Sequence, residues 1–172
     1  MTDRPRRLAG SRTVLQGGRR KAYRPLPPPA RRDALRAALA AYRRGDWFLA
    51  HELLEPAWMG TADLAERALY QGLIKLAAAH VHLARGNPAG VAKNLAGARA
   101  HLVAALDGGA ADDGLDLRRL VNAIDARLDV LARWAEDNAI LPADLPPVSL
   151  PIRARTVEPP STPLRPACGR PR

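Results

Sequence analysis

The chain predicts an all-α fold, a compact bundle of about five helices built from stacked antiparallel hairpins, and composition, spacing and punctuation all point to it. Ala and Leu dominate the 172 residues while aromatics make up only 4%, and Ala and Leu lose little conformational freedom on entering a helix. Apolar residues recur at three- and four-residue spacing in successive stretches, the period of one helix face. Between the stretches stand Gly and Asp, Asn or Thr, the residues that end one helix and cap the next. At this length one domain is expected.

The first helix, near 31–44, carries Leu35, Ala38, Leu39 and Tyr42 on one face and stops at Gly45. Asp46 caps a second helix near 47–59, and Thr61 is read as the cap of a third that runs to Arg85. Asn87 followed by Pro88 is a strong start signal, because Asn accepts from first-turn amides and Pro suits the first helical position. A fourth helix over 88–106 follows, with Val91, Leu95, Ala98, Leu102 and Ala105 in one stripe. Asp112 or Asp113 opens the fifth, whose stripe is Leu117, Val121, Ile124, Leu128 and Leu131, ending near Asp137. Arg44-Gly45-Asp46 and Arg85-Gly86-Asn87 form a repeat, with Leu54 and Ala57 aligned on Leu95 and Ala98. Each copy reads as a helical hairpin.

The net charge of +10 is not spread evenly. Residues 1–32 carry ten Lys or Arg against Asp3 alone, and residues 142–172 carry five Arg against Asp144 and Glu158, so the middle is nearly neutral. Both ends are also proline-rich, and such segments bury too little apolar surface to offset the entropy of ordering. The expected organisation is a disordered basic Pro/Arg-rich arm at 1–30, a helical bundle at 31–138 and a disordered Pro-rich tail at 139–172, with a polyproline-like stretch at Leu26–Pro29. Residues 1–28 and 146–172 are then expected to be removable. Cys168 is the only cysteine, which excludes an internal disulfide and a four-Cys zinc site and favours a reducing, cytoplasmic setting. No stretch approaches the roughly 20 apolar residues of a membrane span.

The second helix concentrates the chemistry. At 100° per residue Trp47, His51, Leu54, Glu55 and Trp58 share one face, and an imidazole and a carboxylate between two indoles require partners if they are covered. The run Gly45-Asp46-Trp47-Phe48-Leu49-Ala50-His51-Glu52-Leu53-Leu54-Glu55, with Trp58, Tyr70-Gln71-Gly72 and Arg85-Gly86-Asn87, resembles the bacterial and archaeal family known as domain of unknown function 309. The resemblance implies a small helical bundle and matches His51, Glu52, Glu55, Trp58, Gln71, Gly72 and Gly86 to the family's motif positions. It implies no established activity; a metal-dependent hydrolase role has been suggested for the family. Pro56 departs from the pattern and is expected to kink the helix.

Three readings follow. In the first, His51, Glu52, Glu55, Gln71 and Lys75, with Arg67, form a polar cluster between the second and third helices, either a network that fixes their packing or a small ligand pocket. In the second, His51, Glu52 and Glu55 hold a divalent metal in a hydrolase-like enzyme, no cofactor being certain. Pairing the helices about Gly60 sets His51 against Gln71 and leaves His80 about 16 Å away along the axis, too far to complete zinc; the motif also lacks the second imidazole of H-E-x-x-H. In the third, the hairpins are an interaction module, open to a homo-oligomer or a partner helix. His80 is expected to be a core histidine bonded to backbone or to another helix.

No Gly-rich phosphate loop or nucleophile elbow is present, and no helix carries a row of Arg, Asn and Gln suited to base edges. The basic arm reads first as a solubilising, compositionally biased tail, and second as an arm that holds nucleic acid or an acidic partner weakly and non-specifically. Such binding should be blind to sequence, fall steeply between about 50 and 200 mM salt, and vanish with the arm; salt-resistant, sequence-selective binding by the armless bundle would contradict this.

Overall fold

Four of the five helices begin where a side chain accepts from an amide that the first turn leaves without a partner, and the first begins on prolines that have no such N–H. In the computed structural model, which describes residues 24–136 and 145–153 and the backbone of two short strands, five helices follow one another, each packing on the next. They are α1 (Pro28–Arg43), α2 (Trp47–Gly60), α3 (Leu64–Ala84), α4 (Pro88–Asp107) and α5 (Leu117–Glu136). α1 starts earlier than the spacing of its apolar residues suggested. Pro28 and Pro29 occupy its first turn, where a missing N–H costs nothing, and of the polyproline stretch Pro27 keeps the extended geometry, at φ −57° and ψ 146°. Asp63, rather than Thr61, caps α3 by accepting from Glu66 N at 2.8 Å. Asp116, rather than Asp112 or Asp113, serves the first turn of α5 by accepting from Arg119 N.

The repeat is reproduced in hydrogen bonds. After α1, Gly45 N donates to Tyr42 O at 2.9 Å and Asp46 N to Ala41 O at 3.0 Å; after α3, Gly86 N donates to Leu83 O at 2.9 Å and Asn87 N to His82 O at 3.0 Å. Both glycines sit at positive φ, +82° and +62°, which a side chain would strain. Asp46 and Asn87 then cap α2 and α4. Hence α1–α2 and α3–α4 are two copies of one hairpin.

The second hairpin closes more tightly. A Cβ on Gly72 of α3 would lie 2.7 Å from Leu102 Cγ on α4, and one on Gly97 of α4 would lie 2.7 Å from Lys75 Cδ on α3. All five residues of the expected α4 stripe are buried in this interface and against α5. Among the described residues no helix is long and apolar enough to cross a membrane.

Two segments depart from the expected disorder. In the arm, Thr13–Gln16 (β1) and Arg19–Ala22 (β2) pair as an antiparallel hairpin. After α5, residues 145–153 form a strap across the bundle. Val148 is 3% exposed, its carbonyl accepts from Tyr42 Oη at 2.8 Å and its N–H donates to His80 Nε2 at 3.3 Å. Asp116 N donates to Pro151 O, Arg153 N donates to Gly114 O, Leu115 pairs with Ile152, and the Arg153 guanidinium binds the Asp112 carboxylate. The expectation of a disordered tail from 139 is thus corrected for 145–153: side chains and backbone of the bundle satisfy the strap's polar groups, which composition alone does not reveal. Residues 1–12, 139–144 and 154–172, for which disorder was also expected, lie outside the described residues, as does Cys168.

The strap sets a test of removability. A chain ending after Arg153 keeps these contacts, whereas one ending at residue 144 loses a buried Val and several buried hydrogen bonds, about 2 kcal/mol. Thermal melts should put the shorter chain about 5–10 °C below the longer one; equal melting temperatures would show that the strap contributes nothing.

Candidate ligand-binding groove

α2 presents the motif. Asp46 accepts from Leu49 N at 3.1 Å to start it, and the helix continues through Pro56 to Gly60. Pro56 and Glu52 are both exposed, so water can reach the Glu52 carbonyl that the proline leaves unbonded.

The pairing of α2 with α3 is displaced from the one expected. Thr61 is extended, at φ −107° and ψ 139°, and α3 begins only at Leu64. The centre of the hairpin therefore lies in the connection rather than at Gly60. The rings of Trp47 and His80 are 5.2 Å apart, which sets the start of α2 level with the last turns of α3, and His51, Trp58, Gln71, Lys75 and Ala78 line one groove. The expected axial gap of about 16 Å between His51 and His80 is thus too large, because the pairing moved by roughly one and a half turns of helix. His80 still takes no part in the cluster. It is a buried core histidine bonded to backbone, as expected, but that backbone belongs to the strap rather than to a helix.

A groove of about 220 Å³ lies between α2, α3 and α4, lined by His51, Trp58, Gln71, Ile74, Lys75, Ala78 and Asn94. His51, Gln71 and Lys75 of the expected cluster meet here. The other two do not line it: Glu52 is exposed and bonds His51 Nδ1 at 3.1 Å, while Glu55 is half-buried and engaged elsewhere. Adjacent helix positions point about 100° apart, so His51 and Glu52 can touch only at the groove's rim. Among the described residues no group of three or more His, Cys, Asp or Glu could hold a metal ion, which includes His51, Glu52 and Glu55.

Lys75 is the charged residue of the groove. Its side chain lies over Gly97, and among the described residues it makes no ion pair. Asn94 donates its Nδ2 to Gly90 O at 2.9 Å, which orients its amide. His101, one turn beyond Gly97, has its basicity lowered by burial and then by the Lys75 charge. Arg67, expected near Glu55, instead donates from Nη2 to Thr61 O at 2.6 Å.

A second polar centre escaped the sequence reading. Glu66 accepts from Arg31 Nε at 2.8 Å, Tyr70 Oη at 2.6 Å and Thr61 Oγ1 at 2.6 Å, tying α1 and the α2–α3 connection to α3. Burial opposes its ionisation, but the hydrogen bonds from Arg31, Thr61 and Tyr70 outweigh it and hold the carboxyl below its ordinary range. The signal was Asp63-x-x-Glu66, a capping-box pattern. A cavity of about 480 Å³ opens beside this centre. It is larger than the groove, yet Arg31 and Glu66 already satisfy each other there, and Asp113 is paired with Arg36.

Two helical hairpins closed by a fifth helix, with a polar groove at their seam, define a small helical-bundle domain. Residues 35–94 match the model of the family described as Domain of unknown function (DUF309), so this stretch is similar to that family. No curated protein and no solved structure matches it. Every residue lining the groove falls within 35–94, whereas Arg31, Gly108 and Asp113 of the larger cavity fall outside.

Glu66 is expected to be structural. Glu66→Gln should lower stability at neutral pH by about 2–3 kcal/mol, since it weakens three partly buried bonds at once. A carboxyl lowered on folding stabilises above its unfolded value of 4.5 and loses that contribution as pH falls through the folded value. Denaturant melts of the two proteins should therefore converge below about pH 4.5; a constant gap down to pH 2 would contradict the assignment.

Proposed function

We propose that this domain binds a small acidic molecule, carrying a carboxylate or phosphate group, in the groove between α2, α3 and α4. The observation that carries this reading is Lys75, a half-buried cation held over Gly97 and without a carboxylate partner among the described residues. A charge drawn from water without compensation is costly, and a ligand anion supplies the compensation. Gln71, Asn94 and His51 offer hydrogen-bonding groups around it, and Trp58, Ile74 and Ala78 an apolar wall. That mixture of an apolar lining and a few polar anchors is what small-molecule sites present. At about 220 Å³ the groove suits a ligand smaller than drug-sized molecules, which take roughly 300–1,000 Å³. A chain without an internal disulfide suits such a role in the cytoplasm.

Melting curves at low salt with a panel of small carboxylates and phosphate monoesters test the reading. A ligand at about 100 times its Kd should stabilise the protein by about 2.7 kcal/mol. Lys75→Met should weaken that ligand about 10- to 100-fold, and Gly97→Ala should weaken it by displacing Lys75. His51→Ala should change the unliganded melt by less than about 1 kcal/mol, because its bond goes to the exposed Glu52. No stabilisation by either ligand set, or undiminished binding to Lys75→Met, would sink the proposal.

A further inference from the structure

We propose that residues 145–153 are an acid-released strap, latched by the imidazole of His80. His80 is 3% exposed, and its Nε2 accepts from Val148 N at 3.3 Å. An accepting Nε2 places the ring proton on Nδ1, which is buried without a partner among the described residues. The latch holds only in this neutral tautomer. A second proton, added at Nε2, turns the acceptor into a donor aimed at the Val148 N–H, so two donors meet and the bond is lost.

The surroundings offer that proton no compensation. From α1, Tyr42 packs edge-on against the ring at 5.5 Å, with its hydroxyl committed to Val148 O; burial raises its pKa, so it stays neutral. From α2, Trp47 covers the ring at 5.2 Å. From α5, Arg127 is the charged group that acts on it, and it repels a second cation. α4 and the strap turn no titratable group toward it among the described residues. Burial first, and Arg127 second, lower His80 from 6.5 to about 4.

Undocking of the strap gives Nε2 to water and returns the imidazole toward 6.5. The sign follows from linkage: a group whose proton affinity is depressed when docked favours docking fully above about 6.5, and that contribution is lost as pH falls toward about 4. Docking therefore weakens about tenfold for each pH unit over this interval. The rest of the bundle does not use His80 as an acceptor, so the loss is local to the strap. Acid frees residues 145–153 and uncovers the bed formed by Leu115, Tyr42 and His80.

Amide exchange of the full chain between pH 7 and pH 4.5, expressed as protection factors, reads this directly. The reporters are the Val148, Asp116 and Arg153 amides, which bond across the strap; Leu76 and Leu95, fully buried in α3 and α4, report the core. In wild type the strap amides should lose about tenfold protection by pH 5.5 and nearly all of it by pH 4.5, while the core amides hold. His80→Gln supplies a non-titrating acceptor and should keep the strap protected throughout. The proposal is overturned if the wild-type strap amides stay flat, if core and strap open together, or if His80→Gln loses protection along the wild-type curve. Should that variant not fold, an NMR titration of the His80 imidazole in wild type decides alone: a midpoint at or above about 6.5 overturns the proposal, and one near 4 supports it.

Discussion

The contact on which the molecule depends is the close approach of α3 and α4 at Gly72 and Gly97. Side chains at both positions would hold the helices apart, because Leu102 fills the space above Gly72 and Lys75 the space above Gly97. The approach lets α3, packed on its other side by α2, become the buried centre of the bundle. It also decides what is left over. The end of the Lys75 side chain, from Cδ to Nζ, lies across the glycine, and Lys75 lines the groove beside it. The same packing that stabilises the hairpin therefore holds a cation in place beside an apolar wall.

Much of the architecture was legible in the residues. The α4 stripe from Val91 to Ala105 coincides with the buried set of that helix, because a strong cap at Asn87–Pro88 fixes where the period begins. The Gly45 and Gly86 turns were legible for a similar reason, since a glycine followed by Asp or Asn serves both to end one helix and to start the next. The pairing of α2 with α3 was not. It depends on three residues, Thr61 to Asp63, whose path shifts the facing pairs and brings Trp47 level with His80. Short connections carry this kind of information in backbone angles rather than in apolar spacing.

The candidate site was legible in part for the same reason. His51, Gln71 and Lys75 were found as residue types out of place on apolar faces, and they do converge. Glu52 and Glu55 were grouped with them by proximity in sequence, but neither lines the groove. Ile74 and Asn94 were invisible as site residues because nothing in their own helices marks them; they matter only once three helices meet. The strap shows the converse error. A proline-rich composition predicts little burial, yet one valine with two backbone hydrogen bonds and a pair of flanking bonds is enough to dock it. Composition averages over a segment, and docking can rest on a single residue of it.

The duplicated turn also bears on stoichiometry. The groove takes His51 and Trp58 from the first hairpin and its remaining lining from the second, so it belongs to neither copy and exists only where one is stacked on the next. Two copies create one such junction, and a row of n hairpins would create n minus one. Site number in this architecture is thereby tied to how many times the unit is repeated, and a single hairpin, however well folded, would have half a site.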